Sequence, residues 1–261
     1  MENIKRVLSF VRRALDDYSM IEDGDKIAVG VSAGKDSLTL LCAMAEIRRF
    51  YPKKFDLLAI TVDMGFEEMD FSPVKSLCDE LGVEYEIVPT QISKIIFDVR
   101  KEKNPCSLCA KMRRGALYGY AKQRGCSKVA LGHHFDDVVE TFMLNLFYEG
   151  RLGCFQPVTY LSNTDITLIR PMIYMPEKDV RYFSSKAELP IQKSPCPADG
   201  NTEREEMKRL LASLERENKG LRYRIFGAIQ RGKIDGFREV GKMQGVKAYS
   251  DCDEQGEDNE E

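Results

Sequence analysis

Apolar side chains recur along this chain at two periods, and their alternation predicts the order of its elements. Ile4, Val7, Leu8, Val11 and Leu15 share one face at helical spacing, with basic residues between them. The short apolar run from Lys26 to Val31 reads as a buried strand, and Ser37 to Phe50 returns to helix. Asp56 to Asp63 is a second strand. Ser72-Pro73 reads as a helix N-cap followed by proline in the first turn, opening a helix that ends near Gly82. Val83 to Val88 is a third strand, stopped by Pro89. Ser107 to Arg124 reads as helix, Lys128 to Gly132 as strand and Asp136 to Tyr148 as helix. Thr167 to Arg170 is extended, and Pro176 to Lys186 is helical. Such alternation implies right-handed crossovers and an α/β fold, a doubly wound, mostly parallel, Rossmann-like sheet with helical additions at both ends. Ligands of such sheets sit beyond the carboxyl ends of the strands. Three segments fall there: the loop after Val31, Asp63, and Gly132-His133-His134. Four regions are expected: an N-terminal helix (1–22), the α/β domain (23–200), a basic helical segment (201–242) and a tail (243–261). No internal repeat is found.

Composition narrows the class. With 261 residues, 43% hydrophobic and 31% charged, the chain can bury a full core in one large domain. No signal peptide is read, and no apolar run approaches the roughly 20 residues of a membrane helix, so no membrane partner is expected. The eight cysteines are unevenly spaced and do not resemble a secreted disulfide scaffold. A reducing cytoplasm is the expected location, and clustered cysteines are to be read as metal or redox sites. The net charge of −3 conceals a division, because Asp251 to Glu261 carries seven acids and no Lys or Arg. Without that stretch, 39 basic side chains stand against 35 acidic ones. The tail reads as a disordered, solubilising end.

The loop Ser32-Ala33-Gly34-Lys35-Asp36-Ser37 carries the clearest chemistry. A small-residue turn between strand and helix gathers unpaired backbone N–H groups at the positive helix end, which is an anion pocket. Ser32 and Ser37 add hydroxyl donors and Lys35 adds charge. It is not the mononucleotide P-loop, which needs G-x-x-x-x-G-K-[ST]. It matches S-G-G-x-D-S except at Ala33, where a methyl is tolerable if the local φ is negative.

Cys106-Ser107-Leu108-Cys109 sets two thiols three residues apart at the start of a basic helix, where the dipole and Lys111, Arg113 and Arg114 should favour thiolate. Spacing alone leaves a metal site, a dithiol pair and coincidence open. Cys196 lies between prolines in an irregular loop. Cys42, Cys78, Cys126 and Cys154 read as core filler, and Cys252 belongs to the tail. Gly132 to Asp137 holds both histidines, His133 and His134, ahead of Asp136 and Asp137 in a first helical turn. Those acids either complement the helix dipole or hold Mg²⁺ against phosphate oxygens. Gln91 to Arg124 carries nine basic residues against two acids, and Arg204 to Arg238 ten against five, both interleaved with aromatic rings. Basic surface broken by rings suits RNA, although charge runs are commonly solvated faces.

Taken together, these segments resemble the tRNA 2-thiocytidine synthetases, a branch of the PP-loop, HUP-like ATP pyrophosphatases. The match continues through Glu140-Thr141, Arg170-Pro171-Met172-Ile173-Tyr174 and Pro195-Cys196-Pro197, and spans roughly Met1 to Arg238. It implies ATP bound by Ser32 to Ser37, Asp63 and His133, with Lys35, Asp36 and Asp137 catalytic. It implies Mg²⁺ on Asp36 with Asp136 or Asp137, and a [4Fe–4S] cluster on Cys106, Cys109 and Cys196. RNA would be met by Arg113, Arg114, Arg151 and Arg170. The implied partners are tRNA and a sulfur donor such as a cysteine desulfurase system, and a homodimer is left open. The implied reaction adenylates the C2 oxygen of an anticodon-loop cytidine and replaces it with sulfur. Thiolation of uridine, or by a persulfide without a cluster, is the alternative.

Overall fold

The structure, a computed structural model, describes residues 4–66, 69–100, 105–193, 195–197 and 203–239. The acidic tail and Cys252 lie outside the described residues. In chain order the elements are α1 (Ile4–Asp17), β1 (Asp25–Gly30), α2 (Lys35–Arg48), β2 (Phe55–Asp63), α3 (Ser72–Leu81) and β3 (Glu84–Pro89). Next come α4 (Ile92–Lys94), which runs on as a π-helical turn over Ile95–Val99, then α5 (Pro105–Gln123), β4 (Lys128–Ala130) and α6 (Phe135–Tyr148). The hairpin strands β5 (Val158–Leu161) and β6 (Ile166–Ile169) are followed by α7 (Glu177–Lys186), α8 (Glu203–Glu217) and α9 (Leu221–Arg231).

The six strands form one sheet in the order β3-β2-β1-β4-β6-β5. Pairings are parallel except β5 with β6, and the register sets Ile27 beside Leu57 and Val29 beside Ala130. The α/β expectation therefore holds, with one strand it lacked. β5 is short and only half-buried, so it leaves little apolar signal.

Side chains of β1 alternate between two cores. Ile27 and Val29 enter the larger one with α1, α2 and α7, whereas Ala28 meets Leu58, Leu117 and Tyr118 beneath α5. Apolar positions surround α2 on every side, and it is correspondingly the most enclosed helix, buried from Ser37 through Ala45. α3 begins one residue earlier than its sequence suggests. Phe71 is its N-cap, and the Asp70 carboxylate accepts both the Ser72 N–H at 2.9 Å and the Ser72 hydroxyl at 2.8 Å. Gly82 closes that helix in the left-handed conformation, φ 62°.

The C-terminal helices belong to the core. Phe226 of α9 stacks on Phe135 at 4.8 Å and meets Phe237 edge-on at 5.6 Å, and Phe237 reaches Tyr18 beyond α1. Among the described residues no helix is long and apolar enough to cross a membrane.

Candidate functional site

Strand order reverses between β1 and β4, so the β1–α2 and β4–α6 loops flank one crevice at the carboxyl edge of the sheet. Their contact is close. A Cβ on Gly132 would lie 3.0 Å from the Asp36 carbonyl carbon and 3.2 Å from the Ser37 nitrogen, so only glycine fits without movement. The crevice floor is thus two backbones in contact.

The β1–α2 loop is shaped for an anion. Gly34 caps α2 in an extended conformation without any side-chain cap bond, which leaves the first-turn N–H groups directed outward. Ser37 Oγ accepts the Ser32 N–H at 3.1 Å, donates to the Gly34 carbonyl at 3.0 Å, and lies 3.3 Å from Ser32 Oγ. Ala33 departs from expectation. Its φ is +57°, the left-handed region, where a methyl costs about 1–2 kcal/mol. Full burial of that methyl and the 2.9 Å bond from the Gln192 N–H to the Ala33 carbonyl hold it there.

Lys35 donates to both Asp36 carboxylate oxygens, at 3.0 and 2.9 Å, and lies 3.2 Å from Glu177 Oε1. Burial alone would lower the Lys35 pKa, but the Asp36 and Glu177 charges outweigh it and hold the ammonium form. Asp63, at the end of β2, spends Oδ1 on the Gly65 N–H at 2.8 Å, and so braces a turn beside the crevice.

The histidine–aspartate segment is built differently from its expected role. His134 is the N-cap of α6: its Nδ1 accepts the Asp137 N–H at 3.4 Å, and Asp137 Oδ2 accepts the His134 N–H at 2.9 Å, a reciprocal capping box. The other ring nitrogen, Nε2, faces Asp36 Oδ1 at 3.6 Å. The second Asp137 oxygen accepts from Arg204 Nη1 at 3.0 Å. Asp136 accepts the Glu177 N–H at 2.7 Å, capping α7, and Arg222 Nη1 at 2.8 Å. Both carboxylates, expected at Mg²⁺, thus accept from protein donors here. His133 packs against Phe155 at 4.8 Å with its Nδ1 buried and unbonded, and burial, aided by Arg170, pushes its pKa down to about 4.

Arg170, expected to meet RNA, is buried. It is 7% exposed, lies over the Phe155 ring at 5.0 Å and donates to Thr159 and the Gln156 carbonyl, so it supports the β5 hairpin from within. Arg113, Arg114 and Arg151 are exposed, and Arg151 pairs with Glu149 at 3.2 Å. Of the basic C-terminal segment, Arg204, Lys208 and Arg222 turn inward to Asp137, Glu177 and Asp136. Glu140, buried between Arg204 and Arg222, has its pKa raised by burial and by Asp137. Sequence reasoning missed Glu177, Arg204, Lys208 and Arg222. Acids at the start of α7 were the available signal, but their partners are far away in the chain.

Right-handed crossover makes α5 run antiparallel to the strands, so its first turn also opens at the carboxyl edge. Cys106 there is exposed, and Cys109 and Cys196 are half-buried. Burial raises the Cys109 pKa against the pull of Arg113, and the Cys196 and Cys106 thiols raise it further. The three thiols are thus electrostatic neighbours, although Cys109 does not gain the thiolate its basic helix suggested. As placed, no three Cys, His, Asp or Glu side chains among the described residues are grouped to hold a metal ion.

Residues 5–215 match the family model of a PP-loop domain. The tRNA-cytidine(32) 2-sulfurtransferase of Geobacter sulfurreducens is 38% identical over 86% of this chain and 89% of its own length. The Pseudomonas entomophila protein of that name is 40% identical over 87% and 83%. Among solved structures, the U34-tRNA thiolase NcsA from Methanococcus maripaludis, described with its [4Fe–4S] cluster, superposes with a TM-score of 0.73 at 30% identity, covering 87% of this chain and 78% of that one.

Proposed function

Given that this chain belongs to the PP-loop family of tRNA-cytidine(32) 2-sulfurtransferases, ATP-using enzymes that thiolate tRNA, we propose how its residues divide the reaction. The target is the C2 oxygen of an anticodon-loop cytidine, at position 32 as in the relatives. That oxygen is a poor leaving group. ATP activates it by transferring AMP to the oxygen and releasing pyrophosphate; sulfur then adds at C2 and AMP departs with the oxygen.

The loop supports the first step. Outward N–H groups of α2, the Ser32 and Ser37 hydroxyls and Lys35 form a receptor for pyrophosphate, and Gly132 keeps its floor clear of side chains. Of the three acids expected at Mg²⁺, Asp36 lies in the phosphate loop itself, with Lys35 on both its oxygens and His134 Nε2 facing one of them. Mg²⁺ held there with phosphate oxygens would offset charge developing on the leaving group. The thiols of Cys106, Cys109 and Cys196 are a soft donor set that fits a [4Fe–4S] cluster, which with three protein ligands would supply an iron open to sulfide. Arg113 and Arg114, exposed beside that set, would hold RNA phosphates.

One observation carries the reading: the C-x-x-C turn and the phosphate loop open on the same edge of one sheet. Anaerobic purification followed by iron analysis and a tRNA-dependent AMP assay tests it. Cys109→Ser should lose iron, sulfur incorporation and AMP formation while still releasing pyrophosphate once per tRNA. Full thiolation by colourless, iron-free protein would instead establish a persulfide route.

A further inference from the structure

One oxygen atom beside the phosphate loop holds three cations. Glu177 Oε1, at the start of α7, lies 3.2 Å from Lys35 Nζ, 3.0 Å from Lys208 Nζ and 3.0 Å from Arg181 Nη2. The Glu177 side chain is 11% exposed, and although burial opposes its charge, Lys208, Arg181 and Lys35 draw its pKa down to about 2. Lys208 comes from α8, outside the sheet altogether. With Asp36 included, this cluster sets three positive groups against two negative ones, and it stands at the positive end of α2. A lysine serving only to neutralise Glu177 would be redundant, since Lys35 and Arg181 already do so. Its ammonium is held beside that of Lys35, the loop's own phosphate cation. Two ammonium groups sharing one carboxylate oxygen are an arrangement that a polyanion accommodates better.

We propose that Lys208 is a second pyrophosphate-binding cation, held by Glu177 until the nucleotide binds and then transferred with Lys35 to its β and γ phosphates. Glu177 is then a positioning residue that competes with phosphate for both ammonium groups. This inference rests on the reading of the loop as a pyrophosphate site. It also gives α8 a place in the nucleotide site, through a residue near the end of the matched PP-loop domain.

The test is isothermal titration of the full chain with inorganic pyrophosphate in Mg²⁺ buffer, with adenosine as the phosphate-free control. Lys208→Met should weaken pyrophosphate about tenfold, the scale of one charge-assisted hydrogen bond, and leave adenosine unchanged. Lys208→Arg should recover most of that loss, because it keeps the charge and the reach. Glu177→Gln should tighten pyrophosphate severalfold, since the competing charge is gone, whereas a merely structural Glu177 would give weaker or equal binding. Equal pyrophosphate affinity in Lys208→Met and the unaltered protein would overturn the inference, as would a matching loss for adenosine. Failure of the unaltered protein to bind pyrophosphate would instead overturn the reading of the loop on which it depends.

Discussion

Replacing Asp136 with alanine separates two roles that its sequence context confounds. A Mg²⁺ ligand is held at some cost to stability, and its removal impairs metal-dependent turnover while leaving the fold intact. Here the carboxylate instead joins three elements: from α6 it caps α7 through the Glu177 N–H at 2.7 Å and pairs with Arg222 of α9 at 2.8 Å. The side chains of Arg222 and Asp136 are 14% and 13% exposed, so the alanine variant leaves a nearly buried guanidinium with Glu140, at 3.5 Å, in place of its shorter pair. Breaking a buried pair costs about 3–5 kcal/mol, and the residual solvent contact brings this nearer 3 kcal/mol, including the lost helix cap. For a chain of this size that lowers Tm by about 6–12 °C. Thermal unfolding followed by circular dichroism, with and without Mg²⁺, measures it. Asp136→Ala that melts with the unaltered protein but needs far more Mg²⁺ for AMP formation would refute the anchoring argument and restore the metal ligand.

Three further outcomes follow from the same geometry. Gly132→Ala drives a methyl against the Asp36 and Ser37 backbone, so a loss of about 1–3 kcal/mol in thermal unfolding is expected, together with weaker pyrophosphate binding in titration. His133 should make stability fall between pH 6.5 and about 4, because the unfolded imidazole binds its proton near 6.5 and the folded one near 4; His133→Asn should flatten that part of a urea-midpoint profile. Glu177 acts lower down. Its stabilisation is present above about 4.5 and is lost as pH falls toward about 2, and Glu177→Gln should remove that dependence from the same profile.

The legible parts of this molecule were those whose chemistry lies in contiguous sequence. Ser32 to Ser37 and Gly132 to Asp137 each follow a strand, and crossover topology brings strand ends together without any knowledge of packing. Pairing was hidden wherever it joins distant segments. Arg204 reaches Asp137 across 67 positions and Arg222 reaches Asp136 across 86, so the basic C-terminal run read as an RNA surface although three of its cations face inward. Charge gives no direction. Arg170 illustrates the same limit, since its burial depends on Phe155, Gln156 and Thr159 in a hairpin whose first strand left almost no apolar signal. The positive φ of Ala33 escaped notice because alanine does not advertise the left-handed region as glycine does.

Nucleoside mass spectrometry of tRNA from cells lacking the gene puts the central claim to the most direct test. Disappearance of 2-thiocytidine alone, restored by the intact gene and not by its Cys109→Ser form, is the expected result. Persistence of 2-thiocytidine, or loss of a 2-thiouridine in its place, would contradict it.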